Sequence, residues 1–136
     1  MKYSIVIPTY NNCEKYLKPC IDSIFKYTNL HDIELIVSAN GCTDNTKLYL
    51  NYLVTAIPHI NIKWSDEPLG FAKATNEGIK AAICDKIVLL NNDTVLLEQS
   101  KNKWLEILDD SDISCVHTAY SEITQQRFGI FFCVMI

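Results

Sequence analysis

One segment of the chain carries a carboxylate to the end of an apolar strand-length run. Residues 87–90 are apolar, and Asn91, Asn92 and Asp93 follow them directly. A carboxylate at the carboxyl end of a buried strand is well placed to bind a ligand or a metal ion in an open α/β sheet. Asp93 could hold Mg²⁺ or Mn²⁺ against a diphosphate, or it could cap the next turn. The segment alone leaves both interpretations open.

Strand and helix patterns alternate around this segment. Apolar runs predict six strands, and apolar residues at helical spacing predict helices between them. The strands are predicted at residues 4–8, 33–37, 60–64, 86–90, 113–117 and 128–136. The apolar side of the second helix is predicted to carry Leu48, Tyr49, Tyr52 and Leu53, and that of the third Phe71, Ala74, Thr75, Gly78, Ile79 and Ala82. A short helix is predicted at residues 101–108.

The starts of these helices have their own signals. Pro19 lacks a backbone donor, so the first regular helix is predicted to begin near Lys18, after a looser turn over residues 13–16. Thr43 or Asp44 can cap the second helix, and a third capped helix is predicted to follow Gly70. Alternation of this kind predicts an α/β domain whose parallel sheet is covered by helices on both faces.

Three polar clusters are predicted to meet at one edge of that sheet. Right-handed crossovers would place all the strand carboxyl ends there, and ligands bind at such an edge near the topological switch point. The clusters are residues 8–12, 38–41 and 91–93.

Several classes of protein are disfavoured by what the sequence lacks. It has no Gly-x-Gly-x-x-Gly after the first two strands and no Gly-Lys-Ser/Thr, which argues against a dinucleotide oxidoreductase and a P-loop NTPase. A formal net charge of -4 without a basic stripe argues against nucleic acid as a partner. No apolar run reaches the roughly 18 residues of a transmembrane segment.

The cysteines and the start of the chain predict a compartment. Six cysteines are present without a Cys-x-x-Cys pair or a histidine at ligand spacing, so a zinc site is not expected. The chain opens on a strand rather than a secretory signal. We therefore expect reduced thiols in a cytoplasmic protein, with peripheral attachment to a membrane as the alternative.

Other residues could do chemistry but have simpler explanations. The acidic cluster of Asp109, Asp110 and Asp112 follows a helix C-terminus, where a solvated turn is favoured over a rival metal site. Cys42 could be reactive near a helix N-terminus, although a small turn residue is favoured. His117 is favoured as a strand-end histidine over a catalytic base.

Four segments together resemble the signatures of the inverting nucleotide-sugar glycosyltransferases with the GT-A fold, often called family 2. They are SIVIPTYNN at residues 4–12, IVSANGCTDNT at 36–46, GFAKATNEGI at 70–79 and LLNNDT at 89–94. The resemblance covers most of residues 3–110. It implies a three-layer α/β/α sandwich with a mostly parallel, Rossmann-like sheet, forming one nucleotide-sugar-binding domain over residues 1–136.

The resemblance also implies roles for the matching positions. The base and ribose pocket would be lined by Pro8, Thr9, Tyr10 and Asn11. The opposite wall would be formed by Asn40, Gly41 and Asp44, although Asp44 also suits a helix cap. The nucleotide and diphosphate would be bordered by Gly70, Phe71 and Asn76. Asn92 would lie toward the sugar, and Asp93 would bind Mg²⁺ or Mn²⁺, which neutralises charge on the leaving nucleoside diphosphate.

Three positions depart from the family pattern. Ala39 stands where an acidic residue is usual, Pro68 where Asn is common, and Thr75 where a basic residue is common. The family's acceptor-binding segment and its carboxylate base would lie beyond Ile136. The resemblance therefore implies a truncated domain, the donor-binding part of the enzyme.

The implied reaction is sugar transfer with inversion from a UDP-, dTDP- or GDP-linked sugar to an acceptor hydroxyl. The acceptor is an unknown saccharide, lipid or protein. The alternative is a non-catalytic nucleotide-sugar-binding module, or a fragment lacking the acceptor site and the base. The apolar residues 128–136 could form an exposed edge strand through which the chain self-associates.

Overall fold

The computed structural model describes residues 1–98, 103–109 and 131–135, with side chains described as far as Asp109 apart from that of Ile107. The predicted strand at residues 113–117, His117 and most of the acidic cluster after Asp109 lie outside these residues.

The described strands form a single sheet. They are β1 (Tyr3–Thr9), β2 (Ile33–Asn40), β3 (Ile60–Ser65), β4 (Lys86–Leu90) and β5 (Phe131–Met135). Their order is β3-β2-β1-β4-β5. The first four are parallel, which confirms the predicted α/β class and four of the predicted strands.

The last strand corrects one expectation. β5 pairs antiparallel with β4, with Lys86 opposite Met135 and Leu90 opposite Phe131. Its carboxyl end therefore lies at the opposite edge of the sheet from those of the four parallel strands, because neighbouring antiparallel strands run in opposite directions. The polar clusters after β1, β2 and β4 still share one edge.

The helices connect these strands. They are α1 (Lys18–Tyr27), α2 (Thr46–Ala56), α3 (Phe71–Lys80) and the short α4 (Lys103–Glu106), which continues as a 3₁₀ turn over Ile107–Asp109. A π-helical turn over Cys13–Leu17 precedes α1, which begins at Lys18 as predicted. Pro19 sits in the first turn, where a backbone N–H would have no helical partner.

The sheet is covered on both faces, as the three-layer prediction requires. Ile5 and Ile7 of β1 pack in a cluster with residues of α1, α2 and α4. Val6, between them, points to the other face and joins a smaller cluster that includes Ile79 of α3. Alternating side chains of one buried strand thus serve two apolar layers, and both faces withdraw apolar surface from water.

Two predicted helix faces are wrong in part. Leu48 and Tyr52 are 75% and 66% exposed, whereas Leu50 and Leu53 are buried. The buried residues of α2 are Thr46, Leu50 and Leu53, which are spaced four and three residues apart and so lie along one side of the helix. Phe71 is 59% exposed because it is the first residue of α3, ahead of the buried residues Ala74, Thr75 and Gly78.

The described cysteines are all unpaired, in line with the predicted reduced thiols. Cys13, Cys20, Cys42 and Cys84 are free thiols, the first three of them buried. Within the described ranges, no helix combines the length and apolar composition needed to cross a bilayer.

Candidate functional site

The candidate site lies at the carboxyl end of β1, where the order of the parallel strands reverses. β1 is flanked by β2 on one side and by β4 on the other, so its carboxyl end is the switch point of the strand order. Asn92, just beyond β4, donates from Nδ2 to Oγ1 of Thr9, the last residue of β1, at 2.8 Å. Thr9 is buried. The polar ends of the two strands are thus joined by a side-chain hydrogen bond.

A tight turn presents Asp93 beside this contact. The backbone N–H of Thr94 donates to the carbonyl of Asn91 at 3.1 Å, which leaves Asn92 and Asp93 as the two central residues. Oδ1 of Asp93 is buried, and no described group donates a hydrogen bond to it. A cap would have to accept one, so the capping interpretation finds no support in the described part of the chain. A buried carboxylate oxygen without a donor is unfavourable, and it suits a cation.

The loops after β1 and β2 are held together by Asn11. Its Oδ1 accepts hydrogen bonds from the backbone N–H of Thr43 at 2.7 Å and of Asp44 at 3.3 Å. Its Nδ2 donates to Oγ1 of Thr43 at 3.4 Å. Asn11 was predicted to line the base pocket, but its side-chain amide is hydrogen-bonded to the loop after β2.

Cys42 adds a second link between these loops. Its Sγ accepts from the backbone N–H of Asn11 at 3.4 Å and donates to the carbonyl of Thr9 at 3.7 Å. The thiol is buried. These contacts agree with the small turn residue favoured from the sequence.

Asp44 fixes the starts of two helical segments. Its Oδ2 accepts from the backbone N–H of Cys13 at 3.0 Å, and its Oδ1 accepts from that of Thr46 at 3.1 Å and from the Thr46 hydroxyl. The predicted capping role thus falls on Asp44 rather than Thr43, from the residue before the N-cap position, where Asn45 makes no cap hydrogen bond of its own. Partial burial opposes ionisation of this carboxyl, but the hydrogen bonds from Thr46 and Cys13 outweigh it and lower its pKa.

Replacing this capping residue should have a pH-dependent effect. Asp44→Ala is expected to lower the free energy of unfolding by about 1 kcal/mol at pH 7, as loss of a helix cap does. Because folding lowers the pKa of Asp44, its ionic contribution is present above the unfolded value of about 3.9 and is lost as the pH falls through the folded value. Urea denaturation from pH 7 to pH 3 should show the difference shrinking.

Asp44→Asn is the matched control, since it keeps an acceptor but has no carboxylate to titrate. A difference between wild type and Asp44→Ala that stays constant across this pH range would contradict the ionic contribution.

The segment before α3 packs on the end of β2. Oδ1 of Asn40 accepts from the backbone N–H of Leu69, and the N–H of Gly41 donates to the carbonyl of Ser65 at 3.0 Å. Gly41 has φ +71°, and a Cβ built there would lie 2.5 Å from the nitrogen of Pro68. Gly70, at φ +82°, precedes α3 without a side-chain cap, so the predicted cap of that helix is wrong.

A cavity of about 590 Å³ adjoins the contact between Asn40 and Leu69. Ala39 and Leu69 line it, together with residues of β3 and α3 that include Trp64 and Lys73. Its volume lies in the range of small-molecule sites. Ser38, also in the lining, has a buried hydroxyl with no hydrogen-bond partner in the described part of the chain.

The remaining predicted site residues differ in their setting. Pro8 is buried in β1, whereas Tyr10 and Phe71 are 55% and 59% exposed aromatic side chains at the same edge of the sheet. Asn76 is exposed in the second turn of α3, and in the described ranges no hydrogen bond links it to the other site residues. The structure thus brings together the ends of β1, β2 and β4 but does not connect Asn76 to them.

Two residues of α1 contact the Asp93 turn and were not predicted to. The Sγ of Cys20 donates to the carbonyl of Asn91, and the hydroxyl of Ser23 accepts from the N–H of Leu96. Ser23 shares the buried side of α1 with Cys20, Ile21 and Ile24, and it follows Cys20 by one helical turn. That placement is the sequence signal that could have indicated them.

Among the described residues of the site, Asp93 is the one carboxylate with a buried oxygen that lacks a hydrogen-bond donor. No group of three or more His, Cys, Asp or Glu side chains that could hold an ion occurs among the described residues. Mg²⁺ commonly binds through one or two protein carboxylates, with phosphate oxygens and water completing its shell. The residues present therefore suit a cation shared with a diphosphate rather than one enclosed by protein ligands alone.

Comparison with known proteins agrees with this architecture. Residues 4–130 match Glycosyl transferase family 2. The chain is 34% identical over 116 residues to a chondroitin synthase of Pasteurella multocida (strain Pm70), covering 85% of this chain and 12% of that protein. It thus spans about one-eighth of that relative's length.

Solved structures share the fold. The mannosyltransferase PcManGT from Pyrobaculum calidifontis, in complex with GDP-Man and Mn²⁺, superposes with a TM-score of 0.73 at 20% identity, covering 86% of this chain and 36% of that one. S. aureus TarS 1-349, in complex with UDP-GlcNAc, gives 0.70 at 20% identity, covering 92% and 37%. GT-A glycosyltransferases generally use a divalent metal. The sequence match and the parallel sheet with its polar edge lead to one conclusion: the chain belongs to glycosyltransferase family 2 and has the GT-A fold.

Proposed function

We propose that this chain binds a nucleoside-diphosphate sugar at the switch point and presents it for transfer to an acceptor hydroxyl with inversion. The observation that carries the proposal is the buried Oδ1 of Asp93, which lacks a donor and lies at the centre of the turn after β4. The family membership supports the same ligand class, and so do the solved neighbours, which are complexes with GDP-Man and Mn²⁺ and with UDP-GlcNAc.

Asp93 would hold Mg²⁺ or Mn²⁺ against the diphosphate. When bound, the cation neutralises negative charge that develops on the departing nucleoside diphosphate. The hydrogen bond between Asn92 and Thr9 fixes the backbone beside Asp93, so the carboxylate is preorganised before the ligand arrives. Asn92 would border the sugar.

The nucleoside would lie over the ends of β1 and β2. Tyr10 and Phe71 offer exposed aromatic faces for the base, while Pro8, Asn40, Gly41 and Gly70 shape the backbone around it. Asn11 and Asp44 would act through the loops that their hydrogen bonds hold in place. Asn76 would border the diphosphate from α3.

The transfer itself is a displacement at the anomeric carbon. The acceptor oxygen forms a bond to that carbon from the face opposite the nucleoside diphosphate, which leaves with the electron pair of the broken bond. A carboxylate base takes the proton of the acceptor hydroxyl. The acceptor is a saccharide, a lipid or a protein.

Calorimetric titration tests the binding half of this proposal. UDP, GDP and dTDP are titrated into the chain with Mn²⁺ and with EDTA in its place. At least one of the three is expected to bind at least about tenfold more tightly with Mn²⁺, which corresponds to about 1.4 kcal/mol. Equal affinities with and without Mn²⁺ for all three would contradict the metal role.

A second measurement separates an enzyme from a non-catalytic binding module. The chain is incubated with Mn²⁺ and the sugar-linked form of whichever nucleotide it binds, and release of the nucleoside diphosphate is followed. Release above the protein-free rate supports transfer or donor hydrolysis. Binding without release supports the non-catalytic alternative.

A further inference from the structure

The turn that carries Asp93 is attached to the rest of the protein on both sides. Asn92 reaches across to Thr9 of β1, as described above. The other two attachments come from side chains of α1. They hold Asn91, which begins the turn, and Leu96, which lies just after it.

Ser23 makes the attachment after the turn. Its hydroxyl accepts a hydrogen bond from the backbone N–H of Leu96 at 2.9 Å and donates to the carbonyl of Cys20 at 2.7 Å. Ser23 and Leu96 are both buried. Because both residues are buried, removal of the hydroxyl leaves the Leu96 N–H without its hydrogen-bond acceptor.

Cys20 makes the attachment before the turn. Its Sγ lies 3.8 Å from the carbonyl oxygen of Asn91, which also accepts the N–H of Thr94 that closes the turn. A thiol is a weak hydrogen-bond donor, so this contact ties α1 to the residue that opens the turn.

We propose that Ser23 and Cys20 are positioning residues for Asp93. Spaced one turn apart on α1, they fix the two ends of the segment from Asn91 to Leu96, while Asn92 is fixed to Thr9. Asp93 is then the central turn residue whose side chain is left for a cation. This inference rests on the proposed metal role of Asp93, because positioning has a binding consequence only if that carboxylate holds the ion.

The test compares the Mn²⁺ enhancement of nucleoside-diphosphate binding, defined as the dissociation constant in EDTA divided by that in Mn²⁺. The probe is whichever of UDP, GDP and dTDP binds the wild type most tightly. Ser23→Ala is expected to reduce the enhancement about three- to tenfold, the usual weight of one hydrogen bond, with little change in the affinity measured in EDTA. A general loss of structure would weaken both.

Thr28→Val is the matched control. Thr28 is also buried at the end of α1, and its hydroxyl accepts from Nε1 of Trp104 at 3.0 Å, away from the Asp93 turn. This variant should lose a comparable hydrogen bond and keep the full enhancement. An equal fall in Thr28→Val, or an undiminished enhancement in Ser23→Ala, would overturn the inference.

The paired Cys20 variants test the second attachment. Cys20→Ser keeps a hydroxyl donor of similar size and should retain most of the enhancement, whereas Cys20→Ala should reduce it as Ser23→Ala does. Equal enhancements in the two variants would contradict a donor role for Cys20.

Amide hydrogen exchange supplies a readout that needs no ligand. In Ser23→Ala, the N–H of Leu96 should exchange faster than in the wild type, with exchange in β1 unchanged. A wild type without Mn²⁺ enhancement would overturn both the proposed function and this inference. A wild-type enhancement that Ser23→Ala retains in full would overturn the inference alone.

Discussion

Asp93→Asn is expected to abolish the Mn²⁺ enhancement of nucleoside-diphosphate binding, which weakens binding in Mn²⁺ by at least about tenfold, equivalent to about 1.4 kcal/mol, and leaves binding in EDTA unchanged. The substitution keeps the size of the side chain and the hydrogen bond between Asn92 and Thr9, but it removes the charge that attracts the cation. Calorimetric titration of the wild type and the variant in both buffers measures the difference. Asp85→Asn, an exposed carboxylate before β4, is the control and should bind as the wild type does.

The same variant should not be less stable than the wild type. The buried Oδ1 of Asp93 has no donor in the described part of the chain, so its charge costs folding free energy in the absence of metal. Urea denaturation in EDTA should show Asp93→Asn to be equal to the wild type or more stable by about 1 kcal/mol. A clear loss of stability together with weaker binding in EDTA would mean that Asp93 is structural rather than a metal ligand.

Gly41→Ala is expected to lower the free energy of unfolding by about 2–4 kcal/mol. Two effects add: an L residue at φ +71° is strained by about 1–2 kcal/mol, and the new Cβ would lie 2.5 Å from the nitrogen of Pro68. The backbone cannot yield there without moving the segment before α3, which Asn40 and Ser65 also hold. Chemical denaturation measures the loss, and nucleoside-diphosphate affinity should fall with it.

Gly70→Ala separates strain from collision. Gly70 also has positive φ, but a Cβ there would meet nothing within 4 Å. With Gly70 at φ +82° and ψ 157°, the loss of stability should therefore reflect backbone strain alone, without a collision. A Gly70→Ala variant as stable as the wild type would contradict that strain.

Local sequence patterns were sufficient to predict the four parallel strands, the start of α1 and the edge of the sheet where the site lies. The four parallel strands follow apolar runs, and Pro19 places the start of α1 through its missing donor. The convergence of the β1, β2 and β4 ends then follows from parallel topology. The fold and the position of Asp93 within it could therefore be predicted before any coordinates.

The roles of individual polar residues were less accessible. Asn11 was expected to face a ligand, yet its amide group is satisfied by residues of the next loop along the sheet. The position of Ser23 on the buried side of α1 indicates that its hydroxyl needs a partner, but Leu96 lies far from it in sequence, so nothing local identifies that partner. Hydrogen bonds of this kind depend on how helices and loops pack in three dimensions. For the same reason, the antiparallel direction of β5 could not be inferred from its apolar composition.

The central position of β1 in the sheet also determines the order in which its strands can pair during synthesis. Tyr3 of β1 pairs with Ile33 of β2 on one side and with Lys86 of β4 on the other. β1 is synthesised before β4, so its hydrogen bonds on the second side can form only after β4 has been made. Until residues 86–90 have left the ribosome, one edge of β1 is open to pairing with other chains. The residues that close this edge lead directly into the turn bearing Asp93. Completion of the parallel sheet during synthesis therefore also brings the turn that carries Asp93 to its place beside Thr9.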